Sequence, residues 1–331
     1  MVSSLVGAMP SAADSPPTVV LLHGAGDTPL SWAMVCAELV GTFAVVVPGR
    51  TGTDPESLTL AGRLRTLTAA LTDLPGPLVL VGHSFGGLLA RAWAGEQPER
   101  VSGLVLLDPT PPQAGELRAV SAGMHASAAV LDLMRLLAPT GVPTLLLRTG
   151  LHPLYPEHRA AARAMPPSAR HAWRHAVADA ARGGGAQELR AVPSIAREAR
   201  EVLTPPEVQS IVLASNAYGP TWIEWQQTTA DELSAELWRT GDRSHNIHLR
   251  HPDLVARAVR VVAPPPASAA YPPASTGACG ATVESRSSAR TTRGNGRYPR
   301  VDVVDGIAMR PPQQARIRTK MAAPGPYAIA V

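Results

Sequence analysis

Short apolar runs alternate with stretches of helical period along the first third of the chain. Residues 18–22, 43–47, 77–81 and 101–107 are mostly Val and Leu, and each is followed within two residues by Gly, Pro or Asp. Runs of that length bounded by turn formers predict buried strands. Between them, Trp32, Val35, Cys36 and Leu39 fall on one helical face, as do Leu60, Leu64, Leu67 and Leu71. Asp54-Pro55-Glu56-Ser57 supplies a helix start ahead of the second set, and residues 88–94 predict a helix soon after the third run. A strand without polar alternation is covered on both faces. Such strands alternating with helices predict an α/β fold, a mostly parallel sheet with helices on both sides.

The rhythm stops at Pro109. Residues 110–205 are rich in Ala, Arg, His and Pro; 157–165 and 169–181 predict helices, and 144–147 reads as a strand or a buried helical turn. This region is expected to be a helical cap over the sheet edge. Strand character returns at 210–214, 231–237 lead into Trp238-Arg239-Thr240, and 252–262 predict a closing helix with Leu254, Val255, Ala258, Val259 and Val262 apolar. The core thus divides into 17–109 and 206–262. Residues 1–16 are expected to be flexible. From residue 263 to 331 periodicity is lost among Pro, Ala, Ser and Arg, which predicts a disordered tail.

Composition narrows the class. A chain of 331 residues with 45% hydrophobic and 17% charged residues can bury a large core. No apolar run reaches the roughly 18 residues of a membrane span. The first 17 residues carry no Lys or Arg, so no secretory signal is expected and the cytoplasm is the expected compartment. Cys36 and Cys279 suggest neither a disulfide framework nor a cysteine metal site. The net charge of +4 is unevenly spread: nine basic and three acidic residues place +6 in the tail and leave −2 for the rest. No aromatic interleaving or amphipathic period accompanies the basic residues, so a nucleic-acid partner is not expected.

Gly82-His83-Ser84-Phe85-Gly86-Gly87 carries the chemistry. With Gly near ~7% of residues, a bare G-x-S-x-G arises by chance in about one chain of this length in ten. Here Ser84 stands between an apolar strand and a helix. A nucleophile on so sharp a turn needs small neighbours, which Gly82 and Gly86 provide.

The stretch resembles the nucleophile elbow of α/β-hydrolases, in the esterase and lipase branch, and the likeness runs from about residue 17 to 262 with the cap interposed. The resemblance implies that Ser84 attacks a carbonyl. It implies that His23-Gly24-Ala25-Gly26 is the oxyanion loop, with the Phe85 N–H and either Ala25 (first choice) or Gly26 as donors. It implies a late histidine as base. In residues 241–252, His245, Ile247, Leu249 and Pro252 fit the family register, so His245 is the choice, ahead of His248 and His251. The carboxylate usually follows the strand before the histidine, and no acid follows 210–214 promptly. Asp108, at the end of the 101–107 strand, is the first choice; Asp231 and Glu224, both expected on helix, are alternatives, as is a dyad without an acid. The chain order Ser84, Asp108, His245 matches the family's.

Other motifs carry less. Residues 24–29 lack the third glycine of a dinucleotide loop. His171 and His175, spaced i, i+4 among His152 and His158, lack the Glu of a zinc helix. Trp173, Trp222 and Trp225 fit core packing as well as an acyl pocket. The resemblance therefore implies a serine hydrolase of a small-to-medium apolar ester, thioester or lactone, with no cofactor or metal. Cofactor-free perhydrolysis, acyl transfer, or a non-catalytic ligand-binding role are the rivals.

Overall fold

The computed structural model describes residues 17–50, 53–149, 184–264 and 328–330, together with Pro167 and Arg170. Two strands form its centre, β1 (Thr18–Leu22) and β3 (Leu78–His83), and every residue of both is buried. β2 (Ala44–Pro48) lies on the far side of β1. β4 (Val101–Leu107), β5 (Gln209–Ala214) and β6 (Glu236–Arg239) follow outward from β3. These six strands pair in parallel, in the order β6-β5-β4-β3-β1-β2. A short strand, β7 (Ala328–Ala330), lies antiparallel against β2 inside the segment whose composition predicts no element.

Alternation along the strands sorts the core into two layers, because successive side chains point to opposite faces. Val20, Leu22, Leu78, Leu80, Leu104 and Val212 face α2 (Leu60–Leu71) and α3 (Phe85–Glu96). Val19, Leu21, Val45, Val79, Val105 and Ile211 face Trp32, α1 (Ala33–Leu39) and the closing helix. Local signals set the helix limits: the Thr59 hydroxyl caps α2 by accepting from the Gly62 N–H at 3.0 Å. Close packing sets others. A Cβ on Gly103 of β4 would lie 2.6 Å from the carbonyl oxygen of Val262, at the end of the closing helix.

Between β4 and β5 the described residues form α4 (Arg118–Leu137), α5 (Val142–Thr149) and α6 (Gly185–Val202). Helix α6 packs on α4 through Ala186 and Leu189, and on the core through Val192, Ile195 and Ala199. Residues 144–147 lie within α5. They are not a buried turn, since Leu145 is 60% exposed. The helices expected at 157–165 and, apart from Arg170, at 169–181, with His152, His158, His171, Trp173 and His175, fall outside the described residues. Past β5 come α7 (Pro220–Glu232), the short α8 (Ile247–Arg250) and α9 (Pro252–Val262), the closing helix. Among the described residues no helix is long and apolar enough to cross a membrane.

The strand order carries a functional consequence. Because β2 lies on one side of β1 and β3 on the other, the loops leaving the carboxyl ends of β1 and β3 part, opening a crevice at the switch point. Residues 23–27 and Ser84 are the two lips of that crevice. For the fold itself, Gly103→Ala should cost about 2 kcal/mol by forcing α9 off β4. Urea denaturation would read this, and an unchanged midpoint would contradict the packing described.

Candidate active site

Ser84 joins β3 to α3 with φ 52° and ψ −119°, a region that costs a non-glycine residue about 1–3 kcal/mol. Backbone bonds hold it there, among them a longer one from the Leu88 N–H to its carbonyl at 3.3 Å. Its N–H donates to the Leu107 carbonyl at 2.9 Å, and its own carbonyl accepts from the N–H groups of Gly87 and Thr110, both at 2.9 Å. A Cβ on Gly82 would lie 2.5 Å from the Gly86 oxygen, and one on Gly86 would run into the Leu22 oxygen. The motif's glycines thus let β1, β3 and α3 approach closely enough to force the turn.

The β1 loop faces it. Gly24 sits against the His83 ring, where a Cβ would be 3.0 Å from Nδ1, and Gly26 takes a positive φ of 68°. The Gly26 N–H donates to Glu188 Oε2 at 3.0 Å, away from the crevice.

His245 lies on the loop between β6 and α8. Its Nδ1 is 3.3 Å from Asp108 Oδ2. Asp108 is fully buried, with a positive φ of 39°, and its N–H donates to the Leu213 carbonyl at 2.8 Å. Its carboxylate also accepts from the Ser215 N–H at 2.9 Å, the Ser215 hydroxyl at 2.5 Å and the Trp222 indole N–H at 3.2 Å. The structure therefore brings Asp108, at the end of β4, to His245 on the loop after β6. It does not bring the alternatives there: Glu224 and Asp231 are exposed on α7, and Asp231 accepts from the Gln227 amide at 2.8 Å.

The other two histidines of the loop go elsewhere. His251 Nε2 pairs with Asp242 Oδ2 at 2.7 Å. His248 is fully buried between the rings of Trp32 (4.7 Å) and His83 (4.4 Å), with Nε2 3.7 Å from Asp27 Oδ2. His83 in turn bonds through Nε2 to the His245 carbonyl at 3.0 Å, so it supports the backbone that carries the His245 ring. Burial, then the charge of Arg50, lowers His23 to about 3. Burial and the neighbouring histidines lower His248 to about 3 and take His83 well below the usual range. Burial raises Asp27 to about 6. Asp27, His83 and His248 place one donor atom each within 4.8 Å of one another. The two imidazole rings lie 4.4 Å apart, tilted by 47°, and Gly24 closes on His83 Nδ1, so the group is packed as a polar cluster.

A cavity of about 800 Å³ opens over these residues. Ala25, Ser84, Phe85 and His245 form its floor, and Leu117, Val120, Met124, Leu189, Trp222 and Trp225 give it apolar walls. Trp222 therefore serves the wall and Asp108 at once. Ser215, Asp27, Arg50 and Glu188 carry no local signal that could have marked them. Glu188 in particular is one acid among several on α6.

A six-stranded parallel sheet flanked by helices, with a strained serine after its third strand, has the architecture of the alpha/beta hydrolase class. The model of the Alpha/beta hydrolase family matches residues 19–258, and this chain belongs to that family. Over 98 residues it is 36% identical to the pimeloyl-(acyl-carrier protein) methyl ester esterase of Aromatoleum aromaticum, covering 29% of this chain and 38% of that protein. Over 67 residues it is 48% identical to lipase LipV of Mycobacterium tuberculosis, covering 19% and 26%. Its matches span between 22% and 38% of the relatives' lengths across the esterases and lipase, and 30% of the first uncharacterized mycobacterial relatives. Among solved structures, Cfl2 of Burkholderia cenocepacia superposes with a TM-score of 0.58 at 21% identity over 74% of this chain and 87% of that one, a likeness of fold.

The buried cluster predicts acid sensitivity. His23 and His248 are depressed to about 3 from 6.5, so the stability they contribute is complete above about pH 6.5 and is lost as pH falls towards about 3. Asp27, raised to about 6 from 3.8, acts oppositely: its contribution is complete below about pH 3.8 and is lost as pH rises through about 6. The histidines, with His83 depressed in the same sense, outnumber the single carboxyl. Unfolding at about pH 5 should therefore take up about two protons, and denaturant titrations should show stability falling from about pH 7 to 5. A flat profile over that range would contradict the buried, neutral state of the cluster.

Proposed function

We propose that this protein is a serine hydrolase that cleaves carboxylic esters, thioesters or lactones of small-to-medium apolar acyl groups through an acyl-enzyme. One observation carries the reading: a strained serine and a histidine paired with a buried aspartate line one cavity with apolar walls. In this mechanism His245 Nε2 takes the Ser84 hydroxyl proton as Oγ attacks the carbonyl carbon. Asp108 accepts from His245 Nδ1–H and stabilises the imidazolium, while the Ser215 and Trp222 donors hold the carboxylate in place. The oxyanion binds the Phe85 and Ala25 N–H groups. Engagement of the Gly26 N–H by Glu188 favours Ala25 over Gly26. The proton then passes from His245 to the leaving alkoxide or thiolate. Water, deprotonated by His245, attacks the acyl carbon, and Ser84 is restored as the acid leaves. The apolar cavity walls support a small molecule with an acyl chain as substrate. The esterase and lipase among the relatives support ester chemistry.

A fluorophosphonate probe should label wild-type protein at Ser84 and leave Ser84→Ala unlabelled, with loss of turnover on a graded series of p-nitrophenyl esters. His245→Ala and Asp108→Asn should each lower kcat by about 10³–10⁴-fold. Folded wild-type protein that resists labelling would sink the enzyme reading in favour of a binding role. Labelling with acyl transfer to added alcohol exceeding hydrolysis would reassign the reaction.

A further inference from the structure

Two charged side chains that the mechanism above does not use hold the oxyanion loop from behind. Arg50, just past β2, donates Nη1 to the His23 carbonyl at 2.6 Å and Nη2 to the Gly24 carbonyl at 2.7 Å. Its Nε donates to Glu188 Oε1 at 2.8 Å. Glu188, on helix α6, uses Oε2 to accept the Gly26 N–H at 3.0 Å. Arg63 of α2 stands 3.5 Å from the same carboxylate. The side chains of Arg50 and Glu188 are each only 8% exposed. Burial works to raise the Glu188 carboxyl, but the charge and hydrogen bond of Arg50, with Arg63, override it and bring it down to about 2. The pair is therefore ionised and shielded from solvent, where such contacts are strongest.

The position of these bonds matters more than their number. The Gly24 carbonyl and the Ala25 N–H are the two ends of one peptide unit. A cation on that carbonyl draws electron density along the amide and makes the Ala25 N–H a stronger donor. The next peptide, between Ala25 and Gly26, is pinned by its own N–H on Glu188. The peptide planes on both sides of the Ala25 Cα are thus held by one ion pair, with the Asp27 N–H also donating to the Gly24 carbonyl at 3.3 Å, and half of that pair comes from α6. The next residue on α6, Leu189, lines the cavity and packs against Gly26.

We propose that Arg50 and Glu188 are positioning residues of the oxyanion hole, and that the hole is competent only while helix α6 is docked on the loop. The proposal rests on the serine-hydrolase reading. An acyl chain pressed against Leu189 then bears on the same helix turn that holds the hole, so substrate fit is felt in kcat as well as in KM.

The test compares wild type with Glu188→Gln and Arg50→Lys. Turnover of a p-nitrophenyl ester is measured beside the affinity for a trifluoromethyl ketone, whose Ser84 adduct carries an oxyanion, and for the corresponding secondary alcohol, which forms none. Each variant should lose about 10²-fold in kcat, with KM within about threefold. Ketone affinity should fall by the same factor as kcat/KM, and alcohol affinity should hold. Folded variants with wild-type kcat and ketone affinity overturn the proposal. So does an equal loss for ketone and alcohol, which makes the pair merely structural. If a single variant fails to fold, Arg50→Gln combined with Glu188→Gln removes both charges at once and is held to the same outcomes. In wild type, amide exchange at Gly26 should be slow, and fast exchange there also overturns the proposal. Wild-type protein that neither takes the fluorophosphonate nor binds the ketone overturns both readings. Normal labelling with unaffected variants overturns this one alone.

Discussion

The backbone of Ser84 is the constraint on which the rest of the site depends. A non-glycine residue at φ 52° is unfavourable in isolation, so the surroundings must over-determine it. They do so through the parallel sheet. The Leu107 carbonyl at the end of β4 accepts the Ser84 N–H, and the Gly87 and Thr110 N–H groups close on its carbonyl. The close approach of β1 to α3 leaves no room for a side chain at Gly86. Once β3 is clamped between β1 and β4, the hydroxyl has one place to go, which is the crevice at the switch point.

A second constraint runs under the crevice. His23, His83 and His248 are buried where a charged imidazole is costly, and their depressed pKa values express that cost. They are used as neutral packing with directional bonds, as when His83 supports the His245 carbonyl. Apart from Asp27, which touches this cluster, the carboxylates of the site have donors of their own. Asp108 is surrounded by three donors besides His245, and Glu188 by two guanidinium groups. The site thus separates a neutral support from two fixed carboxylates, one behind the histidine and one behind the β1 loop.

The parallel strands, the serine turn and the histidine loop were legible in the sequence because each is a local pattern. Buried parallel strands read as Val and Leu runs, glycines mark the turn that needs them, and the register of Ile247, Leu249 and Pro252 sets His245 apart from His248 and His251. The carboxylate was less legible. Asp108 is separated from His245 by 137 residues, and a strand-end aspartate before proline is also an ordinary turn. Its partners Ser215 and Trp222 come from a loop and a helix that nothing in the local sequence ties to it.

By itself, then, the sequence determined the α/β alternation and the place of the serine turn, since these follow from periodicity and local backbone sterics, while the pool of candidate bases follows from the family resemblance. Only the tertiary structure decided which acid meets His245, that His248 belongs to the core, and that a glutamate of α6 grips the Gly26 N–H. Those outcomes depend on contacts between β4, β5, α6 and the β1 loop. Hydrogen bonds and ion pairs act over about 3 Å in space whatever the separation along the chain.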